Sequence, residues 1–360
     1  MAKGGPDPAP ALLLGRLAVD HRYAGLGTRS YLAWSERPRA GRRGRRHTEV
    51  MWCESPAGGG PVVESVRGRP AAPLRGLIAS YDGYRLRGVA PARHLGLPSP
   101  FLTVIVTLDE PLHVVCHLDR RRLPNRYDAL IGGLHTSPVV IAHDGAQSGI
   151  QLRVSPLASR ALLGMPAGEL ANADIAADEV LGSLVGELRE QIAAAPGWRE
   201  RFQVLDATFL RRLYGEPTVP TPVAHAWRLM LASAGAIPIA RIAREVGFSE
   251  RHLTNRFRQE IGLTPKLAAR VIRFHRARHL LQAQATAADR ADIAQAAARS
   301  GYSDQSHLVR DFRAFAELPP SQWLRQEFGN VQDRRRSDAY PAMHEHNISH
   351  PSGLADASRP

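Results

Sequence analysis

The apolar positions divide the chain into a β-rich stretch followed by a helical one. From Leu74 onward, short runs rich in β-branched residues are separated by Gly, Pro and Asp; they are 77–78, 101–106, 113–116, 138–141 and 149–154. Such runs predict a small antiparallel barrel or sandwich. After Pro156 the spacing changes, because the apolar residues Val180, Leu184, Val185 and Leu188 recur at helical spacing. This spacing predicts amphipathic helices.

Composition sets the expected domain boundaries. The first 68 residues are rich in Gly, Pro, Ala and Arg without periodicity, which is typical of a disordered basic arm, and Met51 is a plausible alternative start. Three prolines between residues 215 and 222 indicate an extended linker. We therefore expect a basic arm (1–68), a β-rich domain (69–214), a linker (215–222), a helical domain (223–328) and a disordered tail (329–360).

The helical domain contains an internal repeat. The first copy reads Ile239, Ile242, Ala243, Gly247, Phe248, Ser249, and the second reads Ile293, Ala296, Ala297, Gly301, Tyr302, Ser303. After one inserted residue in the second copy, Leu253, Phe257, Leu263 and Pro265 align with Leu308, Phe312, Leu318 and Pro320. Repeats of this kind indicate two copies of one supersecondary unit.

Each copy has the pattern of a helix-turn-helix unit. Gly247 and Gly301 allow the positive φ of a tight turn, and Ser249 and Ser303 stand where an N-cap is expected. The second helix of such a unit enters the major groove of DNA. Between the units, a helix that starts at Pro265 and continues through Leu281 would be roughly 25 Å long. That length suits two recognition helices about one DNA turn apart.

Charge and cysteine content narrow the class of partner. The 360 residues carry a formal net charge of +13, which favours a polyanionic partner such as nucleic acid or an anionic membrane, and charge alone does not choose between them. Cys53 and Cys116 are the only cysteines, so we expect neither a structural zinc site nor another metal or cofactor. There is no apolar run of membrane-spanning length and no secretory signal, so we expect a cytoplasmic protein without membrane contact.

Residues near the start of each recognition helix are the candidates for DNA contact. Leu253, Phe257, Leu308 and Phe312 must face the core, which leaves Arg251, Thr254 and Asn255 in the first unit and Gln305, Ser306, His307 and Arg310 in the second as predicted base readers. Arg256 is predicted to contact a phosphate, with an ion pair inside the domain as the alternative.

These residues resemble the DNA-binding domain of the AraC/XylS family of transcription regulators. The resemblance covers residues 223–327 and is carried by Gly247–Leu253, Gly262–Lys266 and Gly301–Leu308. Glu317 and Pro319 depart from the family pattern, which has Gly and a small residue there. Segments 153–158 and 163–170 of the β-rich domain look like the cupin-like sensor half of some members, which binds a small effector or mediates dimerisation.

The resemblance implies an α+β fold and a sequence-specific regulator. We expect a β-rich, cupin-like N-terminal sensor domain with flanking helices, then an all-α domain of two helix-turn-helix units joined by a long helix. The implied partners are double-stranded DNA, a possible small effector, a second copy of the chain, and RNA polymerase where the protein activates transcription.

Two alternative functions belong to other classes of protein, an enzyme and a non-specific DNA binder. A DNA-repair alkyl transferase can carry the same helical pair, but its chemistry needs four metal-bound cysteines, and the chain has two. A non-specific architectural DNA binder would need only basic charge. Asn, Gln, His and Arg on the predicted recognition helices favour base reading instead, and no catalytic motif is apparent, so we do not expect an enzyme.

Overall fold

The computed structural model describes residues 61–213, 219–288 and 291–328. Its N-terminal part contains ten strands: β1 (Val62–Gly68), β2 (Ile78–Arg87), β3 (Ala92–Gly96), β4 (Leu102–Thr107), β5 (Leu112–Cys116), β6 (Asn125–Tyr127), β7 (Ala129–Gly132), β8 (Val139–His143), β9 (Gln147–Val154) and β10 (Asp174–Ala176). They form a six-stranded sheet in the order β1-β2-β9-β4-β7-β10 and a four-stranded sheet in the order β3-β8-β5-β6. All the strand pairs in both sheets are antiparallel.

The first strand corrects one expected boundary. β1 pairs with β2 from Val62↔Arg87 to Gly68↔Tyr81, so the β-rich domain starts before residue 69 and includes the end of the predicted arm. Side chains explain the pairing, because Arg67 of β1 donates to Asp82 of β2 at 2.7 Å. Arg153 of β9 lies 3.2 Å from the same carboxylate. A buried acid thus joins three strands that apolar patterning alone did not connect.

The N-terminal part also has four helices: α1 (Ser159–Leu163) lies between β9 and β10, and α2 (Asp178–Leu181), α3 (Leu184–Ala194) and α4 (Trp198–Arg212) follow β10. A short 3-10 turn, Ala167–Leu170, lies between α1 and β10. Helix α4 packs against the larger sheet, where the rings of Trp198 and Tyr81 both stack on Phe202. The predicted combination of a β-rich domain with flanking helices is therefore confirmed.

The C-terminal part is all helical: α5 (Thr221–Ala232), α6 (Ile239–Glu245), α7 (Glu250–Ile261), α8 (Pro265–Ala288), α9 (Ile293–Arg299), α10 (Gln305–Ala316) and α11 (Pro320–Phe328). α6 with α7, and α9 with α10, are the two predicted helix-turn-helix units. The connecting helix α8 continues past Leu281 and has 24 residues, or about 36 Å. It is longer than expected because the Ala- and Gln-rich end of the predicted helix carries no helix-breaking residue.

One apolar core extends through both parts of the chain. It includes Leu162 and Leu170 of the N-terminal part together with Phe257, Phe274 and Phe312 of the helical part. A smaller cluster between the two sheets contains Ile105, Val114 and Ile141, among others. The β-rich half and the helical half are consequently packed together.

Some expectations concern residues outside the described ranges. These are the arm up to residue 60 with its basic run, most of the linker (214–218) and the tail from residue 329. The helical part itself begins at Thr221, two residues before the expected start. Within the described part, no helix is long and apolar enough to cross a membrane.

Candidate nucleic-acid interface

The first helix-turn-helix unit is built by short-range signals. Gly247 adopts φ +73° between α6 and α7, as its position in the turn required. Ser249 then caps α7, because its hydroxyl accepts a hydrogen bond from the His252 backbone N–H at 3.2 Å. Leu253 and Phe257 are fully buried, and the Phe257 ring lies 6.0 Å from that of Trp227 in α5. This packing directs the opposite face of α7 outward.

The second unit has the same turn and a different cap. Gly301 has φ +79°, in agreement with the repeat. The N-cap of α10, however, is Asp304, which accepts from the His307 N–H at 2.7 Å. Ser303, the predicted cap, donates instead to Asp304 at 3.1 Å. The extra residue of the second copy moves the helix start by one position, so the cap prediction for Ser303 was wrong.

The predicted DNA contacts of the first unit lie on its open face. Arg251 and Asn255 are exposed, and Thr254 is partly buried. The Thr254 hydroxyl already donates to the Glu250 carbonyl at 2.8 Å, which leaves mainly its methyl group and oxygen lone pair for a base. Arg256 donates to Gln259 of the same helix at 3.2 Å, and no acidic side chain pairs with it in the described ranges. This arrangement favours the phosphate role over the ion pair.

The predicted contacts of the second unit are also accessible. Gln305, Ser306 and Arg310 are exposed, and His307 is partly buried. The His307 ring is held in place, since its Nδ1 lies 3.2 Å from the Ser303 hydroxyl and the ring stands edge-on to Tyr302 at 5.1 Å. A preorganised ring loses little freedom on contact with DNA.

His252 is a surface residue that the sequence prediction omitted. It is exposed at the start of α7 and stands edge-on to Phe248, with ring centroids 4.4 Å apart. It occupies the place in the first unit that His307 occupies in the second, next to the aligned pair Leu253 and Leu308. The register of the repeat was the signal that could have identified it.

A buried acid fixes the second recognition helix to the connecting helix. Asp311 of α10 is 2% exposed and accepts hydrogen bonds from Arg270 Nη2 at 2.7 Å and from the Tyr302 hydroxyl at 3.1 Å. The Arg270 guanidinium also lies over the Phe315 ring, 5.0 Å from its centroid. Burial, together with the charge of Asp311, raises the pKa of Tyr302, so its proton stays in place as a donor.

Glu317 adopts the left-handed backbone conformation at the position where the AraC/XylS pattern has Gly. It ends α10 in the left-handed region at φ +58° and ψ 11°, where Gly262 ends α7 at φ +96°. A side chain in this region is strained, unlike glycine. After Glu317, the Pro319 carbonyl accepts the N–H groups of Gln322 and Trp323 and starts α11. The departure from the pattern therefore alters the residue and not the path of the chain.

The β-rich domain contains a cavity of about 140 Å³ that reaches the helical part. Strand residues line most of it, and many are apolar: Leu95, Ile105, Val114, Leu130, Val139 and Ile141. Arg153 of β9 and Asp174 of β10 add charges of opposite sign, α8 contributes His275, Arg278 and Gln282, and α11 contributes Trp323. A ligand here would touch both halves of the chain.

The histidines around this cavity are neutral. Burial, and secondarily His143, lowers the pKa of His94 to about 3. Burial lowers that of His135 to about 4. The pKa of His275 also falls well below its usual value, first through burial and then through Arg278 and Arg153. Positive charge at the α8 end of the cavity thus comes from arginine. No group of three metal-binding side chains occurs within the ranges described.

Taken together, two capped recognition helices with exposed basic and amide side chains, joined by one long helix, define a double helix-turn-helix DNA-binding domain. Comparison with protein families agrees, since residues 242–326 match the model described as a helix-turn-helix domain. Residues 242–326 are therefore a helix-turn-helix domain, and this match supports a DNA-binding transcription regulator.

Solved structures similar to the chain include several of ToxT from Vibrio cholerae. ToxT from strain O395 is 14% identical, with a TM-score of 0.41, and the match covers 69% of this chain and 98% of that one. Wild-type ToxT from strain SCE256 with a bound unsaturated fatty acid is 12% identical, with a TM-score of 0.40 and coverage of 76% and 97%. A comparison with curated protein sequences finds no match.

Proposed function

We propose that the chain binds DNA sequence-specifically and reads two successive major-groove faces, one with α7 and one with α10. The observation that carries this is the duplicated helix start. Each recognition helix has a side-chain cap, an edge-on histidine and exposed polar residues, while its leucine and phenylalanine are buried. An architectural binder needs only positive charge and would not require two such ordered faces.

Base readers and phosphate contacts have different consequences when removed. Arg251→Ala is expected to cost about 1 to 3 kcal/mol at the preferred sequence and little on a scrambled duplex. Arg256→Ala should weaken both duplexes alike and lower the slope of log affinity against log salt by about one.

The experiment uses the full chain and a duplex that it enriches from a random-sequence pool. Titrations of both variants against this duplex and a scrambled one, at several salt concentrations, separate the two roles. Equal losses of Arg251→Ala on both duplexes would contradict base reading. If the wild-type chain binds duplexes but enriches no sequence, it is a non-specific binder.

We further propose that a small effector binds in the cavity of the β-rich domain. The apolar strand residues suit an apolar body, and Arg153 and Arg278 suit an anionic end such as a carboxylate. The cavity volume is close to the ~150 Å³ that accommodates benzene in an engineered protein cavity, so the body is expected to be about one ring in size. From the AraC resemblance we also expect homodimerisation, and contact with RNA polymerase where the protein activates transcription.

Thermal shift with single-ring carboxylates tests the effector proposal. Stabilisation of the wild-type chain by a carboxylate and not by its neutral amide analogue is expected, and Arg278→Gln should reduce it. A shift of the same size with the amide would contradict an anionic end.

A further inference from the structure

The N-terminal domain contacts the two recognition helices at equivalent places. Gly262 and Glu317 are the left-handed caps that end α7 and α10. A Cβ on Gly262 would lie 3.0 Å from the Ala171 Cβ of the N-terminal domain, and the Glu317 carboxylate accepts from Arg120 Nη2 of that domain at 2.6 Å. Both contacts are at the helix ends opposite to those that carry the predicted base readers.

The contact with the first unit is tight and buried. Arg160 of α1 donates to both carboxylate oxygens of Glu260, at 2.9 and 3.0 Å, and Glu260 is 5% exposed. Beside this pair the 3-10 turn meets the end of α7 backbone to backbone. A Cβ on Gly168 would lie 2.9 Å from the Arg258 carbonyl oxygen and even closer to that of Gln259. The first unit is therefore fixed to the N-terminal domain.

The contact with the second unit is lighter. The side chains of Arg120 and Glu317 are 39% and 59% exposed, and an ion pair of this kind contributes little to stability. Glu317 nevertheless holds a left-handed conformation that glycine would adopt without strain. What its side chain provides, and glycine could not, is the connection to Arg120.

We propose that the N-terminal domain sets the relative placement of the two recognition helices by holding the C-terminal caps of both. Arg160, Glu260, Arg120 and Glu317 are then positioning residues for DNA binding, and this inference rests on the proposed two-site reading of DNA. The competing account is that α8 alone sets the placement, through the Arg270–Asp311 pair.

The test measures how much affinity is lost when the spacing between the two DNA half-sites is changed. A merely structural role of these residues would leave this loss as it is in wild type. One inserted base pair moves the second half-site by about 3.4 Å and turns it by about 35°. The test uses the full chain, the duplex it enriches from a random pool, and derivatives with one base pair inserted or removed between the half-sites. Wild type should lose at least about ten-fold in affinity for each change, comparable to a mismatched base pair.

Glu317→Gly separates positioning from stability. We expect an equal or higher midpoint of thermal unfolding, since backbone strain is relieved, and affinity for the original duplex within about three-fold of wild type. The spacing penalty should fall below about three-fold, because the second unit is no longer held to the N-terminal domain. Arg120→Glu should behave similarly, and the double variant Arg120→Glu with Glu317→Arg should restore the penalty.

Arg121→Ala is the matched control, because Arg121 is the adjacent arginine and pairs with Asp119 in its own loop. It should keep the full spacing penalty. An unchanged penalty in Glu317→Gly and Arg120→Glu would overturn the proposal and leave α8 as the element that sets spacing. Equal losses on all duplexes would overturn it in favour of a structural role. If the wild-type chain enriches no sequence, the proposed function fails first and this inference with it.

Discussion

Replacement of Asp311 by Ala tests whether the second recognition helix depends on its attachment to α8. The substitution leaves Arg270 and the Tyr302 hydroxyl without the acceptor that lies 2.7 and 3.1 Å away. Breaking a buried ion pair costs about 3 to 5 kcal/mol, but the Arg270 side chain is 34% exposed and keeps its contact with the Phe315 ring. We therefore expect a loss of about 2 to 3 kcal/mol in the free energy of unfolding.

The repeat supplies a matched control for this substitution. Arg256 occupies in α7 the position that Asp311 occupies in α10, counted from the aligned leucines, yet it is partly exposed and bonds only to Gln259 among the described side chains. Arg256→Ala should change the free energy of unfolding by no more than about 0.5 kcal/mol. Asp311→Asn retains an acceptor, so its loss in the free energy of unfolding should lie between those of Asp311→Ala and Arg256→Ala.

Urea unfolding of the full chain, followed by circular dichroism and by tryptophan fluorescence, measures these losses. Trp323 lies 5.4 Å from the Phe312 ring of α10, so its share of the emission from the five tryptophans of the chain reports on the second unit. If Asp311→Ala unfolds within 0.5 kcal/mol of wild type, the pair does not hold the helix, and the argument that α10 depends on α8 is refuted.

The other predictions concern caps, close packing and pH. Ser249→Ala should cost about 1 kcal/mol in urea unfolding, and Ser303→Ala clearly less, because the aspartate after Ser303 is the actual cap. Gly168→Ala should cost about 1 to 3 kcal/mol, since its Cβ would overlap backbone of α7, whereas Gly186→Ala, in open space within α3, should stabilise by about 0.5 to 1 kcal/mol; a loss in both would contradict the packing argument. The pKa of His94 is lower in the folded chain (about 3) than in the unfolded chain (about 6.5), so its contribution is complete above pH 6.5 and declines as pH falls toward 3. His94→Gln should flatten the stability profile in that window by at most about 1.4 kcal/mol per pH unit, and an identical slope would show that His94 does not titrate as described.

Local signals in the sequence were sufficient for the helical half. Gly247, Gly301 and Ser249 each act within a few residues of their own position, and the repeat confirmed the pattern by giving it twice. The same locality explains the error at Ser303. An inserted residue shifted the start of α10, and adjacent serine and aspartate are both good caps, so the sequence could not choose between them.

Strand pairing was harder to predict because it depends on distant residues. β2 contains buried Ser80 and Asp82, whose polarity conceals a central strand. Those groups are buried because Arg67, 15 positions away, and Arg153, 71 positions away, supply the opposite charge. A single sequence contains no signal that pairs such residues, which is why β1, and β2 beyond Ile78, were not predicted as strands.

The same limit applies to the contacts that join the two halves. Arg160 and Glu260 are 100 positions apart, and Arg120 and Glu317 are 197 apart. Neither pair stands in a motif, although Glu317 was identifiable as a departure from an expected glycine. A residue that departs from a turn rule is a reason to search for a long-range partner, since the backbone strain must be offset elsewhere.

The two helix-turn-helix units are attached to the rest of the chain in different ways. The first is held to the N-terminal domain by a buried bidentate pair and by backbone packing at Gly168. The second is joined to α8 through Asp311 and to the N-terminal domain through the exposed Arg120–Glu317 pair, and α8 also provides a wall of the cavity through His275 and Arg278. A change at the cavity therefore has a short physical path to α10 through one rigid helix, whereas α7 is fixed to the domain that contains the cavity. Any regulation through this cavity should alter the placement of the second unit relative to the first.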